Sequence, residues 1–403
     1  MTSVFVPRLP RIQLVDSVLQ RSLFDLRVKI VMARLPAKNV QNFLYALPLG
    51  TVLAILKLKP IMADKEDKSF RRILFARQQA PLAVEEIGQE KLDKFEATLI
   101  EEDIALGYDN WSSDQILEAV LPENWDAPSS YEQAGHLIRL NLPEDMDDTV
   151  AGLIGQVLLD KLPGVKTVVR KTANISNRFR VLPLKVVAGE DSMVVTVRES
   201  DCTFRFDYST VYWNSRLQQE HGRLIDLNFK RGDVIVDMFC GVGPFAIPAA
   251  KRGCIVHAND LNPDSFAWLQ ENMKLNKLKE SQITAYNQDA RAFVTDNTFE
   301  GVKHVIMNLP ALSTTFLDVF PMKGFEEATF HCYLFAKGAQ DPLQLVRNAL
   351  RPGVDLCAEN VFNVRNVAPN KEMYRVSFKL QQSDDKDAES VDDREAKKPK
   401  ILQ

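Results

Sequence analysis

The chain has 403 residues, a length that suits two or three domains rather than one. Hydrophobic residues make up 45% and charged residues 26%, enough to bury globular cores, and no apolar run approaches the ~20 residues of a membrane-spanning helix. The net charge of −4 would not by itself suggest a nucleic-acid partner, but residues 1–80 hold 14 Lys and Arg against 5 Asp and Glu, residues 81–160 hold 3 against 19, and residues 161–231 hold 13 against 7.

Two basic blocks thus flank an acidic one, which permits a phosphate-binding surface and equally fits solvated helix faces. Within residues 1–80, basic side chains alternate with apolar pairs such as Leu23-Phe24 and Phe43-Leu44. The stretch from Pro81 to about Trp125 reads as helical and acidic, with Ser112 to Asp114 capping a helix that ends before Pro122. From Tyr131 the texture changes. His136 to Leu142 predicts a strand, Gly152 to Leu162 a helix and Val165 to Arg170 another strand, while Val194 to Arg198 and Phe204 to Asp207 alternate like a hairpin.

After Lys230, strands and helices alternate with short connections, the pattern of βαβ units around a parallel sheet. Strands are predicted at Asp233–Phe239, Cys254–Asp260, Ile283–Asn287, Val302–Asn308 and His331–Ala336, with helices at Pro244–Arg252 and Pro263–Leu275. Asn360–Arg365 and Met373–Leu380 read as a closing strand pair. The expected organisation is an N-terminal region (1–125), a small α+β domain (126–208), a Rossmann-like α/β domain (209–382) and a charged tail (383–403) whose composition predicts disorder. The five cysteines are scattered, without C-x-x-C spacing, and supply neither a zinc site nor a disulfide framework.

The sharpest signal is the run from Val236 to Phe245, in which an apolar strand enters a turn holding Gly241 and Gly243 and then a helix. Glycines there let a ligand approach the backbone at the carboxyl end of the strand. A dinucleotide site would want a third glycine for the pyrophosphate, where this chain has Pro244-Phe245. Asp237, just before the turn, would repel a pyrophosphate but attract an amino group. Asp260 ends the next strand, placed for ribose hydroxyls, and Asp289 ends the third, placed for an adenine amino group. Three carboxylates on successive strand ends suit a cationic, phosphate-free cofactor, which points to S-adenosylmethionine. The plainer alternative is that each aspartate only caps a helix. At the fourth strand end, Asn308-Leu309-Pro310 is a turn of the kind that holds a planar nitrogen beside a methyl donor.

Taken with these motifs, Phe179-Arg180, Ala188-Gly189-Glu190, Val211 to Leu217 with Glu220-His221, and Arg365 to Glu372 resemble the eukaryotic and archaeal type of tRNA (guanine-37-N1)-methyltransferase over about residues 130–380. Ser215 and Cys240 depart from that pattern, where proline and alanine are usual. The resemblance implies a class I methyltransferase fold, tRNA as partner, and a methyl group delivered to N1 of guanosine 37, the first step towards wybutosine in the phenylalanine tRNA. It implies Glu220 as general base, Arg180 as the cation stabilising O6, and Asn308 anchoring the exocyclic edge. Tyr212 and Arg216 would hold the base, and His221, Leu261 and Ala290 would join Asp237, Gly241, Gly243, Asp260 and Asp289 around the cofactor.

The chemistry explains the need for such a set. N1 of neutral guanine carries a proton, so a carboxylate within hydrogen-bond reach can act as base, and the charge that develops on O6 calls for a guanidinium. The target base must leave its stack to be reached. Taken singly, Glu220 is equally an ordinary surface acid and Arg180 a phosphate or salt-bridge residue. An aminocarboxypropyl transferase using the same cofactor is the nearest rival, and it needs no base at N1. An rRNA or protein amine methyltransferase is disfavoured by the Arg180 and Glu220 stretches, and a nicotinamide oxidoreductase by Pro244. A non-catalytic RNA-binding protein would have no use for Glu220, Asp260 and Asn308 together. No metal is needed and a monomer is expected. Arg8 and Arg11 permit a mitochondrial matrix signal and Lys397 to Lys400 a weak nuclear one, and the resemblance implies mitochondrial and nuclear or cytoplasmic pools.

Overall fold

A computed structural model describes residues 7–15, 18–76, 79–172 and 179–382, and it divides into two compact units. The tail expected to be disordered and the Lys397 to Lys400 signal lie outside the described residues, as does the start of the N-terminal segment. The first unit comprises 1–131, 137–172 and 185–191, and the second 132–136, 173–184 and 192–403. The stretch 126–208 therefore contributes to both units.

In the first unit, strands β1 (Leu26–Pro36), β2 (Ile61–Ala63), β3 (Phe70–Leu74) and β4 (Thr98–Leu106) form a sheet in the order β2-β3-β1-β4, with β1 antiparallel to both neighbours. Helices α1 (Val40–Ala46), α2 (Ala80–Ile87), α3 (Gln89–Lys94) and α4 (Ser113–Val120) accompany it. β1 is buried on both faces. Ile30 and Met32 enter one core with Leu74 and Trp111, and Val31, Ala33 and Leu35 enter another with Phe43, Ile73 and Phe75. Helix α4 starts where expected, with the Ser112 hydroxyl accepting from the Gln115 N–H and the Gln115 Oε1 accepting from the Ser112 N–H.

β4 corrects the helical reading of Pro81 to Trp125. Its acids are matched from elsewhere in the sheet: Glu101 pairs with Lys29 of β1, and Glu102 with Arg72 of β3 and with Lys65 of the β2–β3 loop. Arg34 and Arg72 also share Asp64, whose carboxyl is held down at about 2, chiefly by the Asp67 backbone N–H and by Arg34. With Arg21–Asp160, Lys38–Glu96 and Lys57–Asp109, seven of the 14 basic residues in 1–80 face an acid of their own unit. Much of the first basic block thus neutralises the acidic block rather than standing open to a polyanion.

β5 (Tyr131–Ala134) precedes β6 (Leu137–Leu140), α5 (Asp148–Lys161), β7 (Thr167–Lys171) and β8 (Leu184–Gly189), with β6 parallel to β7. Gly189 closes this segment at φ +84°, and a Cβ there would stand 2.1 Å from the Lys166 carbonyl oxygen, so only glycine fits. The Ala188-Gly189-Glu190 stretch is explained by this close approach.

The second unit opens with the expected hairpin, β9 (Val194–Glu199) and β10 (Cys202–Asp207), turned by Ser200 and Asp201, both at positive φ. Then follow α6 (Gln218–Asn228), β11 (Val234–Asp237), α7 (Ala246–Arg252), β12 (Ile255–Asn259), α8 (Pro263–Leu275), β13 (Ile283–Tyr286), α9 (Ala290–Thr295), β14 (Val302–Met307), β15 (Thr329–Lys337), α10 (Pro342–Arg347), β16 (Val354–Ala368) and β17 (Lys371–Gln382). The sheet order is β13-β12-β11-β14-β15-β17-β16, with β11 to β15 parallel and β17 antiparallel to β15. This is a Rossmann-like α/β sheet. The chain runs outward from β11 through β12 to β13 and returns to β14, so the order reverses beside β11, where open α/β sheets bind ligands. Among the described residues no helix is long and apolar enough to cross a membrane.

Candidate active site

Asp237 ends β11 with 0% of its surface exposed and no hydrogen-bond partner on either carboxylate oxygen. Burial pushes its carboxyl up to about 8, against the opposing pull of the Phe239 backbone N–H and with the Asp260 carboxylate adding to the rise. The turn beyond it places Gly241 at φ +55° and Gly243 at φ +97°. A Cβ on Gly243 would meet Leu269 and Ile247 within 3 Å, whereas one on Gly241 would meet nothing within 4 Å. The two glycines therefore serve differently: Gly243 for packing against α7 and α8, Gly241 for open access to the backbone.

Asp260 lies just past β12. Its Oδ2 accepts from the Gly241 N–H at 2.8 Å and its Oδ1 from the Asn262 N–H at 2.9 Å, while burial raises its carboxyl. The bond to Gly241 ties the glycine turn to the next strand. Asp289 is the N-cap of α9 and accepts from the Arg291 N–H, so the plainer reading holds for that oxygen. Leu261 is half-buried beside Asp260, and Ala290 is buried at the start of α9. Asn259, which motif reading passed over, joins the three strand ends: its amide donates to the Met238 and Gln288 carbonyls and accepts from the Gln288 N–H.

At the end of β14, the Asn308-Leu309-Pro310 turn is pinned by Ser313, whose hydroxyl donates to the Met307 carbonyl and accepts from the Leu309 N–H. The Pro310 carbonyl accepts from the Phe335 N–H of β15. Within this rigid turn the Asn308 Oδ1 is buried without a hydrogen-bond partner. A buried amide oxygen left in that condition is an acceptor suited to an N–H donor.

Glu220 lies in the first turn of α6 and is 5% exposed. Its Oε1 accepts from the Tyr333 hydroxyl at 2.9 Å and from Arg375 at 2.7 Å, and its Oε2 from the Arg223 Nε at 3.0 Å. Arg223 stacks on the Phe362 ring 3.1 Å from its centroid, with Arg375 at 5.5 Å from the same ring. Burial, with the charge of Glu220 adding to it, pushes the Tyr333 hydroxyl well above its ordinary range, which keeps it a donor. Motif reading missed Tyr333, Arg375, Arg223 and Phe362. The one signal was a basic residue inside the apolar alternation of β17.

Next to Glu220, His221 is buried, hydrogen-bonds Glu199 of β9 through Nδ1, and meets Phe245 edge-on at 4.6 Å. Phe245 in turn lies 5.8 Å from the Tyr333 ring, so a chain of rings links the glycine turn to the Glu220 cluster. Tyr212 is exposed, near the Asn214 side chain, and Arg216 is exposed in the 3₁₀ turn that Asn214 caps. Arg180 is half-buried at φ +59°, a left-handed conformation that costs a non-glycine residue about 1–2 kcal/mol. It is not among the donors to Glu220. The structure thus gathers Asp237, Gly241, Gly243, Asp260, Asp289 and Asn308 on the carboxyl edge of the sheet and links His221 and Glu220 to it through Phe245. Among the described residues, neither Arg180 nor Arg216 hydrogen-bonds to that group.

Two family models match. Residues 195–355 match the TRM5/TYW2 methyltransferase domain and residues 113–192 the TYW2 N-terminal domain. A Drosophila pseudoobscura pseudoobscura protein described as tRNA (guanine(37)-N(1))-methyltransferase is 38% identical over 90% of this chain and 88% of its own length. An Aedes aegypti protein of the same description is 41% identical over 74% of this chain, which spans only 56% of that relative. Among solved structures, a complex of aTrm5 with tRNALeu superposes with a TM-score of 0.66 over 87% of this chain and all of that one, at 23% identity, a likeness of fold.

Proposed function

The chain belongs to the tRNA (guanine(37)-N(1))-methyltransferase family, and from that premise we propose that it methylates N1 of guanosine 37 in tRNA with S-adenosylmethionine as donor. The observation that carries the reading is the contrast between unpartnered acceptors on the carboxyl edge of the sheet and, on the flanking helix α6, a carboxylate held by three donors. The Asp237 carboxylate and the Asn308 Oδ1 are buried without partners, and the backbone at Gly241 stands open.

These residues fit the cofactor. The Asp237 carboxylate would take its ammonium, Asp260 its ribose, and the α9 start at Asp289 and Ala290 its adenine. When bound, the cofactor supplies an electrophilic methyl group on a sulfonium. What the chain adds is positioning and a proton acceptor. Asn308 holds the exocyclic edge of the guanine, Glu220 takes the N1 proton through Oε2, and Arg180 meets the negative charge that develops on O6. Tyr212 and Arg216, exposed on the loop before α6, flank the base once it has left the stack. The N-terminal region up to about residue 125 contacts the tRNA body, mainly its backbone. In the phenylalanine tRNA the product would be the first intermediate towards wybutosine, and the enzyme would serve mitochondrial, nuclear and cytoplasmic pools as a monomer.

The test is a methyl-transfer assay with methyl-labelled cofactor on an unmodified tRNA bearing guanine at position 37 and on the same tRNA bearing adenine. The reading expects 1-methylguanosine from the first alone. Label on neither, or on a nucleoside other than 1-methylguanosine, would overturn it. Transfer of the aminocarboxypropyl group instead, read with carboxyl-labelled cofactor, would identify the rival chemistry.

A further inference from the structure

We propose that Tyr333 and Arg375, together with Arg223, are positioning residues for Glu220, arranged so that its carboxylate has one acceptor position left for the substrate. The inference rests on Glu220 being the base. An ionised carboxylate offers about four acceptor positions over its two oxygens. Tyr333 and Arg375 fill both positions on Oε1, and Arg223 fills one on Oε2. The remaining lone pair, on Oε2, is the one that accepts the N1 proton. When it does, the N–H bond breaks with its electron pair left on N1 and an O–H bond forms on Oε2.

The donors come from three separate elements. Arg223 sits one turn along α6, Tyr333 on β15 and Arg375 opposite it on β17, in register with Tyr333. Phe362 of β16 packs against both guanidiniums and fixes their planes. A buried ion cluster of this kind contributes little net stability, because desolvating the charges offsets their attraction. It does fix the direction in which one oxygen points. The Arg223 Nη2 and the Arg375 Nε are buried without partners, so the two guanidiniums are committed to Glu220 at the expense of their other donors.

The remaining titratable groups around the cluster are His221 on α6, paired with Glu199 of β9, and His331 on β15, which is buried and hydrogen-bonded to His304 and Ser377. His331 is held well below its ordinary range, by burial first and then by the neighbouring charges of His304 and Arg375. It is therefore neutral in the pH range of the assay and does not compete for Glu220.

The test uses the full chain in single-turnover methylation across pH, with cofactor affinity and thermal melting measured in parallel, for Tyr333→Phe, Arg375→Lys, Arg375→Met and Glu220→Gln. Tyr333→Phe removes a donor to the charged carboxylate, so the acid limb of the pH–rate profile should move to higher pH. The rate at neutral pH should fall about tenfold with cofactor affinity unchanged. Arg375→Lys should recover part of what Arg375→Met loses. Melting shifts with an unmoved limb and a wild-type rate in both Tyr333→Phe and Arg375→Lys would make the cluster merely structural and overturn the inference, provided Glu220→Gln is inactive. A near-wild-type Glu220→Gln would remove the base itself, and the inference with it.

Discussion

Asp237 and Glu220 are both buried acids of the second unit, and the structure treats them in opposite ways. Asp237 has no hydrogen-bond partner on either oxygen, and burial pushes its carboxyl up to about 8. Glu220 has three strong donors, two of them guanidiniums. A buried acid without a partner is costly and is relieved by a cation that arrives from outside. A buried acid with partners on both oxygens is already compensated, and what it gains is direction. In the proposed function the first belongs to a binding edge and the second to a reacting edge, although both lie within one sheet and its flanking helix.

The largest expected effects fall on the reacting edge. Glu220→Gln should lower the single-turnover rate by ~10²-fold or more while melting stays cooperative. A rate near wild type would take Glu220 out of the mechanism. Arg180→Ala should cost a similar factor in rate, and loss of tRNA affinity alone would instead mark Arg180 as a phosphate contact. On the binding edge the two glycines separate. Gly243→Ala should lose about 2 kcal/mol of stability by denaturant melting, from left-handed strain plus the contact with Leu269 and Ile247. Gly241→Ala should lose only about 1 kcal/mol and weaken cofactor binding instead. Equal melting of the two would blur the division between packing and access.

A separate effect is on pH-dependent stability. The Asp237 carboxyl is raised from 3.8 to about 8 in the folded protein, so folding favours its protonated form. Its contribution is fully present below pH 3.8 and is lost as pH rises through about 8. Asp237→Asn should therefore raise the melting temperature of the cofactor-free protein, by more at pH 8 than at pH 5. A pH-independent gain would show that Asp237 is partnered after all.

The comparison also explains what could be read from the chain. Strands β11 to β14 and helices α7 and α8 were legible because these βαβ units carry their own apolar period and short turns, whereas the six-residue α9 was not predicted; Ser112 announced α4 through its capping pattern. β4 was not legible, because the acids that suggested a solvated helix are matched by Lys29 of β1, Arg72 of β3 and Lys65 of the β2–β3 loop, some 30 to 70 residues away. Motif spacing pointed to Asp237 and the glycine turn, which sit in one local run, and the family resemblance pointed to Glu220. The donors to Glu220 could not be found that way. Tyr333 lies 113 residues from it and Arg375 155 residues from it, and only the strand order brings them together.

The most direct test of the division between binding and reacting edges is a paired titration. Cofactor affinity by calorimetry and single-turnover methylation at saturating cofactor would be measured for Asp237→Asn and Glu220→Gln. The account predicts that Asp237→Asn loses affinity by at least about tenfold and regains much of its rate at saturation, while Glu220→Gln binds cofactor as the wild type does and stays slow. The reverse pattern, or equal losses of affinity in both variants, would contradict it.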